Sequence, residues 1–486
     1  MSQTKVSRYS DQGMRAVWAI EDNQAVVAWA QTRPGKFALL VLAFLALCTT
    51  EEWQEALFFV TAMGLFAYYP PWRSMVFFVS TYSVAFFFST ASIDDAISEV
   101  ALTEGFVTWS PVALSYVALV VFSFLAWGLM AYARYDKQSL LTRRPVLTLL
   151  GIECLLCLLS YKGIFSGYVR LALWSLLSVL TPYFWFLAYA LVDQRSKDRN
   201  NDLFQLGTFH PAWGGSSSSP IGKGAAYLRK VFAKNPEELA ITQIKAVKLL
   251  IWAKVISITR MLLTWLCVGH FHIPTVSDAM DASLQNHAYS LGMEWASLIW
   301  SVIAYSLKVA IYGHFAVGAG RLAGFRLPRL SWRPLESRTL IDYFNRFHYY
   351  FKELLVDFFF IPTFFSVFKK HPRLRLFFAT FMAAGVGNAL FHFMSEIEML
   401  ETMGLWGMVE TYHSYLFYCF VLATGIGISQ VRANAGYKPS PSLWGRIQSF
   451  FVVWGFVTIL HVFGDESRNH SLLERMHYLA SMFEWF

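Results

Sequence analysis

FFATFMAAGVGNALFHFMSEIEML, residues 377–400, sets the class of this chain. Roughly 17 to 25 apolar residues cross a bilayer as a helix, and this stretch has that length with Arg375 just before it and Glu396 near its end. Inside it, Asn388 and His392 stand at i and i+4, with Glu396 one turn further on, so one stripe carries an amide, an imidazole and a carboxylate. Polar groups within a membrane segment are costly and mark sites by default. The plainer reading of His392 is a buried histidine bonded to a neighbouring helix. Gly385 and Gly387, with Ala383, Ala384 and Ala389, allow another backbone close approach.

The rest of the chain repeats the pattern. Apolar runs at 36–50, 53–70, 74–91, 111–133, 145–160, 170–192, 248–270, 293–316, 375–395, 411–430 and 447–464 predict an all-α, polytopic membrane protein with about 11 transmembrane helices. Of 486 residues, 56% are hydrophobic and 15% charged, against about 25% charged in a soluble domain. A water-soluble fold, disorder, collagen and coiled coil are excluded. The 18 Trp, 23 Tyr and 44 Phe suit aromatic belts at the bilayer surfaces. Cys48, Cys154, Cys157, Cys267 and Cys419 read as small packing residues without a redox role. No group of metal ligands stands at zinc spacing, so no metal is expected.

The net charge of +8 marks topology rather than nucleic-acid binding. Lys5, Arg8, Arg15, Arg33 and Lys36 precede the first run; the loop 92–110 holds Asp94, Asp95, Glu99 and Glu104 with no basic residue. Basic residues fill the loops at 134–144, 193–247, 321–338 and 432–446, whereas the loops at 271–292 and 396–410 have none. Only Lys162, in the loop 161–169, departs mildly. The alternation predicts a cytoplasmic tail at 1–35, N-terminal membrane helices at 36–192, a cytoplasmic loop at 193–247, a core at 248–464 and an extracytoplasmic tail at 465–486. Between 317 and 374 no complete crossing is expected, and 339–368 re-enters or lies at the inner face, which irregular backbone tolerates only when surrounded by protein or a water-filled cavity. No cleavable signal peptide is expected. Residues 209–226, rich in Gly, Ser and Pro, read as a flexible connector.

The second chemical stretch is TLIDYFNRFHYYFKELLVDFFFIPTFF, residues 339–365. As a continuous helix it places Asn345, His348 and Lys352 on one face and Arg346, Glu353 and Asp357 on the other, with Pro362 ending or bending it. The bland alternative is an interfacial helix whose charges face the cytoplasm. A neutral imidazole can take a proton from an alcohol attacking a thioester, an effect typically worth 10² to 10⁴ in rate, and a polar group such as His348 or Asn345 can steady the oxyanion.

These residues resemble a family. FNRFHYYFKELLVDFFFIP, residues 344–362, resembles the first signature of membrane-bound O-acyltransferases, especially the bacterial branch of alginate O-acetylase and teichoic-acid D-alanyl transferase, with Arg346, His348, Asp357 and Pro362 at matching intervals. FHPAWGGSSSSPIGKG, residues 209–224, looks like a loosened form of the family's proline-rich segment, and Phe391-His392-Phe393 corresponds to its W-H-G. Phe347 and Phe391 replace tryptophans, and Phe393 replaces a glycine. The resemblance implies an inner-membrane enzyme with helices around a central funnel. It would carry a short acyl group, acetyl foremost, from cytoplasmic acyl-CoA or another thioester to a hydroxyl of an extracytoplasmic polysaccharide or glycolipid, beside a periplasmic or secreted partner. It puts His392 in the catalytic position; the reading of the residues adds His348 and Asn345 to the catalytic group and expects Asn388, Arg346, Asp357 and Lys352 to bind substrate. The thioester is a substrate; no bound cofactor is implied. The arginines from Arg321 to Arg338 serve either topology or the donor's phosphates. Two other classes remain: a transporter or flippase whose polar residues line a path, and an inactive acyltransferase-like scaffold.

Overall fold

A computed structural model describes residues 19–48, 52–87, 91–106, 108–196, 201–214, 219–464 and 469–483. The basic residues Lys5, Arg8, Arg15, Lys197 and Arg199 and the serines 216–218 lie outside them. Among the described residues the chain is helical apart from two isolated β-bridges. Among the described residues seven helices are long and apolar enough to cross a membrane: Pro111–Tyr135, Gly167–Asp193, Pro236–His270, Leu291–Leu322, Pro372–Met394, Met399–Asn434 and Leu443–His461. The chain is a polytopic helical membrane protein. Four further apolar helices, Arg33–Leu47, Trp53–Tyr68, Arg73–Phe87 and Pro145–Ser160, have 15 or 16 residues. At 1.5 Å per residue they fall short of a hydrocarbon core of about 30 Å.

The helix Gly167–Asp193 is the centre of the bundle. It is apolar all round and buried along most of its length, as a helix with no solvent-facing stripe must be. Its Ser175, Ser178 and Thr181 hydroxyls donate to the carbonyls four residues back, at 2.7, 2.9 and 3.0 Å, so none of these three is left unpaired beside apolar neighbours. The long helices Pro236–Thr264 and Leu291–Leu322 pack closely because Gly318 lies under Leu250; a Cβ there would stand 2.9 Å from the leucine side chain.

The loops sort by charge. At the start of Gly167–Asp193, Arg170 is 1% exposed and donates to Glu104 at 2.7 Å, to the Ser160 carbonyl at 2.9 Å and to Glu401. Lys162 joins Glu401 at 3.2 Å. The acidic loops around 104 and 401 therefore meet the loop around 162 at one end. At the other end of that helix Asp193 accepts the Ala226 backbone N–H at 2.9 Å. The basic loops also pair among themselves: Arg134 with Asp202, Arg326 with Glu238 at 3.4 Å, and Arg338 with the Ser440 carbonyl.

No long apolar helix falls between Leu322 and Pro372. The stretch 339–368 is instead three short helices, Leu340–Arg346, Tyr349–Leu355 and Ile361–Ser366, the last two joined by a π-helical turn at Val356–Phe360. Two local expectations change here. The 209–226 segment is not a loose connector: its described residues are almost wholly buried, with Trp213 stacked on Phe77 at 5.2 Å and its Nε1 donating to the Ile221 carbonyl at 3.1 Å. And Pro362 does not end the helix. The wide turn just before it changes the hydrogen-bond pattern where the proline has no N–H to give, and the helix runs on to Ser366.

Candidate functional site

The helix expected over 339–365 breaks at Phe347 and His348. Phe347 is extended, and His348 is left-handed at φ 53° and ψ 53°, a conformation that costs a non-glycine residue about 1–3 kcal/mol and gathers at functional sites. The preceding loop holds the break open: the Trp332 N–H donates to the Arg346 carbonyl at 2.7 Å and the Tyr349 N–H to the Leu330 carbonyl at 2.7 Å. Leu330 is in turn seated on Gly313, where a Cβ would meet it at 2.5 Å. The break takes Asn345 off the face it would share with His348 and Lys352. Asn345 is exposed on its own short helix, whereas His348 is half-buried with Nδ1 closed off and unpaired. Burial pushes the His348 imidazole down to about 4, so it is neutral at physiological pH.

His392 lies in the helix Asn388–Met394, which continues a π-helical turn at Met382–Gly387. Its half-buried ring stands in an aromatic frame: Tyr415 at 5.0 Å, Phe391 at 5.3 Å and Phe351 at 5.9 Å, all edge to face. Phe351 also meets His348, at 5.7 Å and 77°, so one phenyl ring touches both imidazoles. The Tyr412 hydroxyl donates to the His392 backbone carbonyl at 2.6 Å, and Tyr415 reaches the buried Asn388 side chain at 3.5 Å. Phe391 packs on Trp185 of the central helix, at 6.0 Å and 23°, and Phe393 on Tyr412 at 5.2 Å. Close approach is possible because Gly387 lies against Phe359 and Leu355, bringing the π-helical turns of the two segments together.

A charged cluster sits on the next turns of the same segment. Lys223 stands 2.8 Å from both Glu353 and Asp357; Lys352 pairs with Glu353 at 3.0 Å, and the Tyr189 hydroxyl donates to Asp357 at 2.9 Å. Burial works against the Lys223 charge, but its hydrogen bonds to Asp357 and Glu353 outweigh that and raise its pKa. Burial likewise pushes the Glu353 carboxyl up, and the Lys223 hydrogen bond and the two lysine charges bring it below its ordinary value. Arg346 belongs elsewhere: it pairs with Asp342 at 2.8 Å and Glu336 at 3.8 Å.

The structure therefore brings His392, Asn388 and His348 into one aromatic neighbourhood, places Lys352 and Asp357 in an adjoining ion cluster, and leaves Asn345 and Arg346 at the periphery. Sequence reading missed Phe351, Tyr412, Tyr415, Lys223 and Tyr189. For the tyrosines a signal existed in T411-Y-H-S-Y415, whose Tyr412 and Tyr415 are three residues apart on one helix face. The arginine-rich loop is committed to the protein itself. Arg321 donates to the Leu327 carbonyl at 2.9 Å, Arg333 pairs with Glu336 at 3.1 Å, and Arg329 and Arg333 flank the Trp332 ring at 4.7 and 5.2 Å. That favours a structural and topological role over donor binding.

Chemically, a neutral imidazole in an apolar frame can accept a proton but holds one poorly, which suits a base that must return it. No protein-family model matches the chain, and no curated protein matches it.

Proposed function

We propose that the chain is a membrane-bound O-acyltransferase that moves a short acyl group from a cytoplasmic thioester to a hydroxyl of an extracytoplasmic glycan or glycolipid. The observation that supports it most is the shared contact of His348 and His392 with Phe351: a histidine-bearing segment expected at the inner face and a histidine-bearing membrane span converge on one ring. The convergence of 209–224 and 344–362, sealed by Lys223 with Glu353 and Asp357, supports the same reading.

In this mechanism the His392 imidazole removes the proton of the acceptor hydroxyl as its oxygen attacks the thioester carbonyl. A tetrahedral oxyanion forms, its charge met by a polar donor in the site. Collapse breaks the carbon–sulfur bond, and the imidazolium proton passes to the departing thiolate. An ester and a free thiol result. Tyr412 fixes the His392 backbone, and Tyr415, touching both the ring and Asn388, orients the imidazole.

The test is acyl transfer by purified protein from radiolabelled acetyl-CoA to a glycan fraction, with wild type compared with His392→Ala at equal folded abundance. Loss of about 10²- to 10⁴-fold is expected. Ester formation unchanged in the variant removes the base, and movement of unmodified glycan without ester formation would establish transport instead.

A further inference from the structure

A polar recess lies where four helix ends meet, and neither His348 nor His392 lines it. Lys36 is in the first turn of Arg33–Leu47, Tyr68 ends Trp53–Tyr68, Arg73 begins Arg73–Phe87, and Lys234 precedes Pro236–Thr264. The recess has a volume of about 330 Å³, and its lining holds these three cations with Tyr68 and Gln243 and no acidic residue.

Among the described residues these cations have no counter-charge. Lys36 stands over the Tyr68 ring at 5.1 Å, and Arg73 over the Phe232 ring at 4.2 Å with its donors on the Phe66 and Ala67 carbonyls, at 3.0 and 3.2 Å. All of these partners are neutral. Among the described residues neither Lys36, Arg73 nor Lys234 forms an ion pair; the nearby Glu238 accepts the Lys234 backbone N–H at 2.9 Å and turns its charge to Arg326. Three positive charges without an ion pair among the described residues, around a half-open recess, call for an anion with several acceptor oxygens, which is the chemistry of a phosphate ester.

The surroundings indicate where that ester comes from. Trp29, Phe37, Tyr69 and Trp72 are exposed beside the recess, in or next to the same helix ends. Large amphipathic rings at helix ends mark the headgroup level of a bilayer, and basic pockets between membrane helices at that level bind anionic headgroups. We infer that this recess binds the phosphate of an anionic phospholipid headgroup, held by Lys36, Lys234 and Arg73.

The experiment measures retention of dioleoylphosphatidylglycerol, dioleoylphosphatidylcholine and soluble glycerol phosphate by the full-length protein in detergent, using native mass spectrometry and melting temperature. Phosphatidylglycerol should be retained and raise the melting temperature, with phosphatidylcholine and glycerol phosphate inert. Lys36→Ala with Lys234→Ala should weaken retention about 10-fold or more. Lys36→Arg with Lys234→Arg, which keeps both charges, should retain the lipid. Equal retention of the two lipids, or undiminished retention in the alanine pair, overturns the site. Binding of glycerol phosphate without phosphatidylglycerol overturns the lipid source and assigns the recess to a diffusible phosphate.

Discussion

Lys223 and Asp357 lie 134 residues apart in the chain and 2.8 Å apart in space. Lys223 reaches its partners from a left-handed backbone position at φ 54°, between Gly222 and Gly224, in a buried loop that composition alone makes look loose. The pair fastens that loop to the segment bearing His348 and Phe351. Lys223→Ala leaves Glu353 with Lys352 and Asp357 with the Tyr189 hydroxyl alone, so a loss of roughly 1–3 kcal/mol is expected. It should appear as a lower melting temperature in detergent, while Lys223→Arg recovers most of it. A melting temperature unchanged in the alanine variant would show that the cluster is ornamental to the fold.

Gly387 predicts a different kind of damage. A Cβ at this position would stand 2.7 Å from the Phe359 ring and 3.0 Å from Leu355. Helix backbone on one side and a packed ring on the other leave little room to give, so Gly387→Ala should cost about 1–3 kcal/mol through overpacking. Pairing it with Phe359→Leu should restore stability in part. Lack of coupling between the two substitutions in thermal unfolding would mean that the two π-helical turns do not press together.

A pH dependence follows from His348 and from His210, whose Nδ1 is also buried and unpaired; burial pushes each imidazole down to about 4. Unfolding returns them to about 6.5. Between these values the unfolded chain binds more protons than the folded one, so stability rises with pH across that interval. The contribution is complete above about 6.5 and is lost as pH falls toward 4. Melting temperatures from pH 7 to 4 should decline less steeply in His348→Gln and His210→Gln than in wild type. Parallel curves would place both imidazoles in water.

Much of this arrangement is legible from residue order, and the rest fails for stated reasons. The apolar runs and the charge alternation locate the helices, because hydrocarbon thickness and loop charge act on each segment independently. His392 and Asn388 are found together because four residues make one helical turn. Asn345 is misplaced beside His348, since that inference needs an unbroken helix, and the break is held by another segment, where the Trp332 N–H donates to the Arg346 carbonyl and the Leu330 carbonyl accepts from the Tyr349 N–H. Lys223 is invisible for a similar reason. Nothing local distinguishes it from other loop lysines, and only the return of 209–224 into the core brings it to Asp357.

Phe351 offers the sharpest test of the site itself. Its ring lies edge to face with His348, His392 and Phe391, at 5.7, 5.9 and 4.7 Å. A residue in that position limits the space beside His392, and it does so together with Phe391 and Phe393, each bulky beside the imidazole. Phe351→Ala removes a half-buried ring and should cost no more than about 3–5 kcal/mol, the range for a fully buried phenylalanine. If acyl transfer occurs at His392, the variant should accept longer acyl thioesters relative to acetyl than wild type does, and Phe351→Leu should fall between them. The ratio of rates with hexanoyl- and acetyl-CoA reads this separately from stability, because misfolding lowers both rates together. A ratio that stays at the wild-type value in a folded Phe351→Ala protein would place the acyl chain elsewhere and leave Phe351 as packing alone.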